Sequence, residues 1–212
     1  MDTVTAVIAD RPVRAVVFDF GGVVVEWNMR ALFVEFFDDD SEMDAFLADV
    51  LTPAENLRCD LGTPLATVVG ELVERHPNHR APLEAWRDRW IETIPGEIDG
   101  TADLIADLRS LGLRLLGLSN FSAETFPWCR ARYDVFEQFD DIVLSGEVGI
   151  AKPDPAVYRL VCDRNGVDPS EAVFLDDSPT NVAGAHAVGM PAFLFTDADQ
   201  ARADLRTVGL TV

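Results

Sequence analysis

The chain has 212 residues, 48% of them hydrophobic, a formal net charge of −20 and a pI near 4.3. That length fits one domain with an insertion and enough apolar residues for a core. The acidity argues against nucleic acid and anionic membranes as partners, and no apolar run approaches a membrane span.

The same charge repels phosphorylated small molecules at long range, so phosphate chemistry here needs a local positive centre. The opening MDTVTAVIADRPVRAVVF has no basic flank followed by a long apolar segment, so no signal peptide is expected. Cys59, Cys129 and Cys162 are odd in number and far apart. They read as free thiols of a cytoplasmic protein, not as a disulfide or zinc framework.

In chain order, VRAVVFDF (13–20) is a continuous β-rich run of the fully buried kind, ending at Asp19. Residues 28–95 then carry helical stretches and no clear strand. MRALFVEFF has apolar spacing near 3.6, and SEMDAFLADV opens at Ser41 as a cap. TPAE and TPLATVVGELVERHP each begin with Thr-Pro, and PLEAWRDRWIE follows. DDD at 38–40 reads as a turn between helices.

After the insertion, TADLIADLRSLG predicts a helix with Thr101 as N-cap and Gly112 just past its end. RLLGLS (114–119), DIVLS (141–145), AVFLD (172–176) and AFLF (192–195) are further strands. Between them, PAVYRLVCDRNG opens on Pro155 and closes at Gly166, and TNVAGAHAVG closes at Gly189. The alternation predicts an α/β fold: a Rossmann-like parallel sheet with helices on both faces and a helical cap inserted after the first strand. The core would comprise 1–27 and 96–212, the cap 28–95.

In an open parallel sheet, ligands sit beyond the carboxyl ends of the strands. Asp19, Ser119 and the pair Asp176–Asp177 fall at such ends, and Lys152 follows a fourth strand in GEVGIAKPDPAVY. Lys152 is the only lysine; every other basic residue is arginine. Three gathered carboxylates need positive charge nearby to stay ionised. One lysine supplies part of it, and a hard dication such as Mg²⁺ supplies more.

VVFDFGGVV, GLSN, AKPDPAVY and FLDDSPTN, in this order and spacing, resemble the four motifs of the haloacid dehalogenase superfamily, most of whose members are phosphatases. The likeness covers nearly the whole chain and is nearest to a bacterial branch of sugar-phosphate phosphatases, acting on glucose 1-phosphate, with a small helical cap. It implies Mg²⁺-dependent hydrolysis of a small phosphorylated metabolite. Asp19 would be the nucleophile, forming an aspartyl-phosphate. Asp19, the Gly21 carbonyl, Asp177 and Asp176, the last directly or through water, would hold the metal. Ser119 and the Asn120 backbone N–H would hold phosphoryl oxygens, and Lys152 would bridge nucleophile and transferring group. That place suits a compact ammonium better than a planar guanidinium.

One position departs from the pattern. Most phosphatases of the family carry a second Asp two residues after the nucleophile, as general acid and base; here Gly21 stands there. A phosphatase with another proton source, Glu26 being the nearest in sequence, is one reading. A 2-haloacid dehalogenase attacking carbon through Asp19 is a second, opposed by the retained acidic pair. A non-catalytic binder of phosphate ligands is a third.

Gly22 offers close backbone approach to phosphate or simply a tight turn. Trp27, where cap meets core, is the best substrate-facing candidate among Trp27, Trp86, Trp90 and Trp128. Arg30 would read a substrate anion or pair with Glu35 or another cap acid. Phe126, Pro127 and Trp128 would wall the cavity or form a helix face. His76 and His79 read as a surface turn and His186 as packing. Oligomeric state stays open at this level.

Overall fold

The computed structural model describes residues 12–212; the leader reading made above falls, over residues 1–11, outside them. Strand β1 (Ala15–Phe18) leads into a helical insertion of α1 (Met29–Phe33), α2 (Asp40–Asp49), α3 (Pro53–Asp60), α4 (Leu65–Arg75) and α5 (Arg80–Asp88). There follow α6 (Thr101–Ser110), β2 (Arg114–Ser119), α7 (Phe126–Arg132), β3 (Asp141–Leu144) and the single turn α8 (Ser145–Val148). The chain closes with α9 (Pro155–Asn165), β4 (Ala172–Asp176), α10 (Pro179–Ala187), β5 (Ala192–Leu194) and α11 (Ala198–Thr207).

All strand pairs are parallel and the order is β3-β2-β1-β4-β5. The sheet is thus the expected Rossmann-like α/β arrangement. Strand order reverses around β1, which opens a crevice at its carboxyl end, where Asp19 stands. Side chains alternate across the strands. Val16, Phe18, Leu115, Val173 and Leu175 pack with Leu104, Ile105 and Leu108 of α6 and Leu205 of α11. Ala15, Val17, Leu116, Leu118 and Phe174 pack with Tyr158 and Val161 of α9 and Ala185 of α10. Helices therefore cover both faces, as the unbroken apolar runs require.

The insertion is helical, as its periodicity predicts, and its apolar residues join the first of these cores without a break. Division of the chain into core and cap is one of topology, not of separate hydrophobic interiors. Two helix starts differ from expectation. Asp39, extended at φ −143° and ψ 163°, caps α2 by accepting the Glu42 N–H; Ser41 lies inside the first turn. Gly100, at φ 76°, precedes α6, and Thr101 is its buried first residue with an unpaired hydroxyl. A left-handed glycine turns the chain where the sequence pattern read a hydroxyl cap. Thr52 does cap α3, and Pro155 and Gly166 bound α9 as expected.

Phe20, fully buried, fixes the exit from β1. Its ring stacks on Phe126 and meets Phe136 and Phe139 edge-on. Burying such a ring contributes about 2–3 kcal/mol. The anchor lies one residue beyond Asp19, so the hydrophobic core itself holds the loop that presents the carboxylate.

Candidate active site

A cavity of about 240 Å³ opens at the carboxyl edge of the sheet. It is lined from the core by Asp19, Gly21, Gly22, Ser119, Asn120, Phe121, Lys152, Asp177 and Asn181. From the insertion and its flanks come Trp27, Asn56, Asp60 and Trp90. The volume falls below the usual range for drug-sized ligand pockets, about 300–1,000 Å³, so the enclosed part suits a small ligand.

Asp19 is almost fully buried. Its Oδ1 accepts three bonds: from the Phe20 N–H at 2.7 Å, the Ser119 hydroxyl at 2.9 Å and the Lys152 ammonium at 2.8 Å. Among the described residues no donor is found on Oδ2. One oxygen is clamped and the other left for a ligand.

Lys152 reaches Asp176 Oδ2 as well, at 2.7 Å, and its side chain is 1% exposed. It also lies over the Phe174 ring, 5.3 Å from the centroid. A short-range point charge shared by two carboxylates and an aromatic face is the environment that favours Lys over Arg. The loop carrying it is held by the Asn120 side chain, which donates to the Lys152 carbonyl at 3.0 Å and accepts its N–H at 2.8 Å.

The two acids after β4 differ. Asp176 is fully buried and saturated: Oδ1 accepts from the Ser178 N–H at 2.8 Å and Oδ2 from Lys152, with Asn181 reaching both oxygens. Asp177 is exposed and lines the cavity. Gly22 fits against it. At φ +76° Gly22 occupies a left-handed conformation, and an added Cβ would lie 2.3 Å from Asp177 Oδ2. Gly22→Ala is therefore expected to displace the Asp177 carboxylate and to destabilise the fold by at least about 1–2 kcal/mol, the left-handed penalty of a non-glycine residue. Urea denaturation checks this.

Asp19, Asp176 and Asp177 each bring a carboxylate oxygen to within 4.8 Å of the others, the one such metal-capable cluster among the described residues. One ammonium does not balance three acids. Burial pushes the Asp19 carboxyl up to about 7, against the opposing pull of Lys152 and with a further push from Asp176. Asp177 is raised by desolvation and by Asp176. A cluster that favours protons in this way has room for a dication with hard oxygen ligands, and the cavity-lining carboxyls of Asp19 and Asp177 fit one.

The structure brings together Asp19, Gly21, Gly22, Trp27, Ser119, Asn120, Lys152 and Asp177 around one cavity, with Asp176 directly behind. It leaves Arg30 out. That guanidinium pairs with Asp40 and Asp44 on the insertion surface, so Arg30 is not carried forward as a substrate contact. Glu35, the partner considered for it, pairs with Arg89 instead. Glu26 is exposed and absent from the lining. Phe126 faces the Phe20 cluster, and the wall is formed by Phe121 instead. His79 packs against Phe46, and His186 Nε2 meets the Ala192 carbonyl at 2.9 Å, both away from the cavity.

Sequence reasoning missed Asn56, Asp60 and Phe121, and ranked Trp90 below Trp27. Trp90 touches Trp27, with centroids 5.6 Å apart, and Phe121 at 5.4 Å, making one aromatic side of the cavity. Asn181 lay in a motif already noted, FLDDSPTN; its spacing from Asp176 was the available signal.

The sheet delivers a carboxylate cluster and one buried ammonium to a single crevice. A family model of haloacid dehalogenase-like hydrolases matches residues 13–189. The chain belongs to that family of enzymes. It is 26% identical over 200 residues to the sesquiterpene phosphatase astK of Aspergillus oryzae, covering 87% of this chain and 90% of that one. Against two other curated relatives the likeness is partial: it covers 18% of drimenol cyclase drtB of Aspergillus calidoustus, at 35% identity over 45% of this chain. It covers 13% of pig bifunctional epoxide hydrolase 2, at 41% identity over 33% of this chain. A family enzyme of Bacteroides thetaiotaomicron, solved as its magnesium complex, shares the fold at TM-score 0.74 and 20% identity, over 92% of this chain and all of that one. The three cysteines are buried and free, and among the described residues no helix is long and apolar enough to cross a membrane.

Proposed function

We propose that this protein is a Mg²⁺-dependent phosphatase that hydrolyses a small phosphomonoester through Asp19. The observation that carries the reading is the meeting of three carboxylates within 4.8 Å beside a single buried ammonium. Asp19, the Gly21 carbonyl and Asp177 would hold the metal, with Asp176 behind them. Bound there, Mg²⁺ neutralises phosphoryl charge and orients the ester toward the nucleophile.

The chain's own groups do the rest. Asp19 Oδ2, on which no donor is found among the described residues, attacks phosphorus while the Phe20 N–H and Lys152 hold Oδ1, and the Ser119 hydroxyl turns from Oδ1 to a phosphoryl oxygen. The leaving alcohol departs, and an aspartyl-phosphate remains for water to cleave. Ser119, the Asn120 N–H and the glycine turn at Gly21–Gly22 bind phosphoryl oxygens. Lys152 offsets the charge on Asp19 and on the transferring group. The aromatic side, Trp27, Trp90 and Phe121, packs against the alcohol.

Among the described residues the lining contains no arginine, and its only cation, Lys152, is already shared by Asp19 and Asp176. That favours an ester whose alcohol part is uncharged, a sugar phosphate among them, over bisphosphates or phosphocarboxylates. The phosphatase activity named for the Aspergillus oryzae relative supports the same chemistry. So does the Bacteroides enzyme's complex with magnesium and inorganic phosphate. A dehalogenase reading draws on the glycine at 21 and on fold likeness to L-2-haloacid dehalogenase of Xanthobacter autotrophicus, TM-score 0.62 at 17% identity, over 94% of this chain and 85% of that one. Retention of Asp176 and Asp177 weighs against it.

The test is turnover of p-nitrophenyl phosphate with Mg²⁺ and with EDTA, alongside halide release from 2-chloropropionate. Phosphate release abolished by EDTA supports the proposal. Halide release indifferent to EDTA overturns it in favour of the dehalogenase, and neither activity leaves the binder.

Metal linkage gives a second expected result. The folded-state Asp19 carboxyl titrates near 7 against 3.8 as its ordinary value, so proton uptake stabilises the metal-free fold below about pH 4. That contribution is lost as pH rises through about 7. Mg²⁺ competes with the same proton. The rise in melting temperature on adding Mg²⁺ is therefore expected to be larger at pH 8 than at pH 5.5, measured by differential scanning fluorimetry.

A further inference from the structure

We propose that Asp60, at the end of α3 in the helical insertion, is the general acid and base that Gly21 cannot be; the inference rests on the phosphatase reading above. An Asp at 21 would have filled that role, but position 21 has no side chain, and a Cβ there would already meet Trp27 Cβ at 3.4 Å. The proton must come from another group in contact with the cavity.

The lining offers few. Among the described residues it contains no His, Tyr or Cys, and its carboxyls are Asp19, Asp60 and Asp177. Asp19 is the nucleophile and Asp177 the metal ligand in the proposed function. Lys152 is bonded to two carboxylates. Asp60 is what remains, and it lies outside the metal-capable cluster.

Its setting is a built one. Asn56, one turn earlier on α3, donates to Asp60 Oδ2 at 2.7 Å, and the Ser122 backbone N–H favours the charged form of the same carboxyl. The Asp60 carbonyl accepts the Ser145 hydroxyl, which in turn accepts the Phe121 N–H at 2.9 Å. Two residues on, Gly62 passes so close to the core that a Cβ would sit 3.2 Å from the Gly146 carbonyl. The Glu124 carboxylate accepts the Leu65 N–H at 2.9 Å. The end of α3 is thus tied to the loops after β2 and β3, and the Asp60 carboxyl is held at the cavity wall by groups from both insertion and core. Burial pushes that carboxyl up to about 7, against the Ser122 N–H and with a push from Asp19, so the protonated form is available near neutrality.

The balance is simple. As Asp19 Oδ2 forms its bond to phosphorus and the ester P–O bond breaks, the Asp60 carboxylic acid gives its proton to the leaving oxygen, releasing an alcohol. The resulting Asp60 carboxylate takes a proton from the water that attacks the aspartyl-phosphate. The Asp19–phosphorus bond breaks, inorganic phosphate leaves, and Asp60 is protonated again. Donor and acceptor are one carboxyl, and no further reactant is needed.

The discriminating experiment compares two esters of similar size in the full-length protein with Mg²⁺. p-Nitrophenyl phosphate expels an anion that needs no proton; benzyl phosphate expels an alkoxide that does. Asp60→Asn is expected to lower kcat/KM for benzyl phosphate about 10²–10⁴-fold and for p-nitrophenyl phosphate by less than about threefold, since kcat/KM reports the first transfer to Asp19. Asp60→Glu, which keeps a carboxyl, should recover part of the benzyl phosphate rate. Equal losses on both esters would assign Asp60 a structural role and overturn the proposal, as would no loss on either. If Asp60→Asn does not fold, Asn56→Ala takes its place, and a loss confined to benzyl phosphate remains the expected result. A wild-type protein inert toward both esters overturns the phosphatase reading itself, which the unequal losses in a working enzyme keep distinct.

Discussion

Replacing Lys152 with methionine is expected to destabilise the metal-free protein by about 3–5 kcal/mol at pH 8, the usual cost of breaking a buried ion pair by removing one partner. Lys152 is the buried cation bonded to Asp19 and Asp176, at 2.8 and 2.7 Å, and both acids are buried. Without it, two carboxylates face each other in a desolvated crevice. The protein can respond by taking up a proton, so the loss should shrink at pH 5, where the proton replaces the ammonium. Urea denaturation at the two pH values measures this directly. Turnover should fall about 10²–10³-fold, the scale seen when one donor to a developing anion is removed. Lys152→Arg is expected to restore little of either, because a planar guanidinium cannot fill the volume of a point charge that touches two carboxylates and the face of Phe174.

Asp19→Asn has the opposite profile. Turnover of any phosphomonoester is expected to fall at least about 10⁴-fold, equivalent to about 5.5 kcal/mol of activation free energy. The amide oxygen still accepts the bonds now made by Phe20, Ser119 and Lys152, so the fold loses nothing. Meanwhile one member of the acidic cluster loses its charge. The metal-free variant should therefore be as stable as the wild type or more so at pH 8, by about 1 kcal/mol, and the advantage should fade toward pH 5 as wild-type Asp19 gains its proton. Loss of activity with gain of stability is the signature of a residue kept for chemistry. A variant that lost both together would make Asp19 a structural acid.

Much of this site was legible in the amino-acid sequence because strands buried on both faces leave an unbroken apolar signature. RLLGLS and AVFLD mark β2 and β4 to the residue, and the polar groups that end them, Ser119 and Asp176, fall at the sheet's carboxyl edge. Parallel topology then brings Asp19 and Ser119, a hundred residues apart, to 2.9 Å. The insertion was legible only as helical. Which face of α3 meets the cavity depends on how it docks on the loops after β2 and β3. Nothing in PAENLRCDLG distinguishes Asp60, in the cavity, from Glu55, which pairs with Arg58 and Arg75.

Arg30 shows the same limit. Its place one turn after Trp27 suggested a substrate contact, but the Asp39-capped start of α2 sets Asp40 and Asp44 beside it. The aromatic side of the cavity was half visible. Trp27 stood out by its nearness to the first motif, whereas Trp90 reaches the site only because the chain returns from the insertion beside it. Periodicity reports the burial of an element, not the neighbour it is buried against.

The central claim is that a dication held by Asp19 and Asp177 lets the Asp19 carboxylate take a phosphoryl group. A crystal structure of the protein grown with Mg²⁺ and beryllium trifluoride, a mimic of the aspartyl-phosphate, tests it most directly. The expected result is a fluoroberyllate on Asp19 Oδ2, within reach of Ser119 and Lys152, and Mg²⁺ bound by Asp19, the Gly21 carbonyl and Asp177. Mg²⁺ bound elsewhere, or Asp19 unmodified beside a vacant acidic cluster at saturating metal and fluoroberyllate, would contradict it.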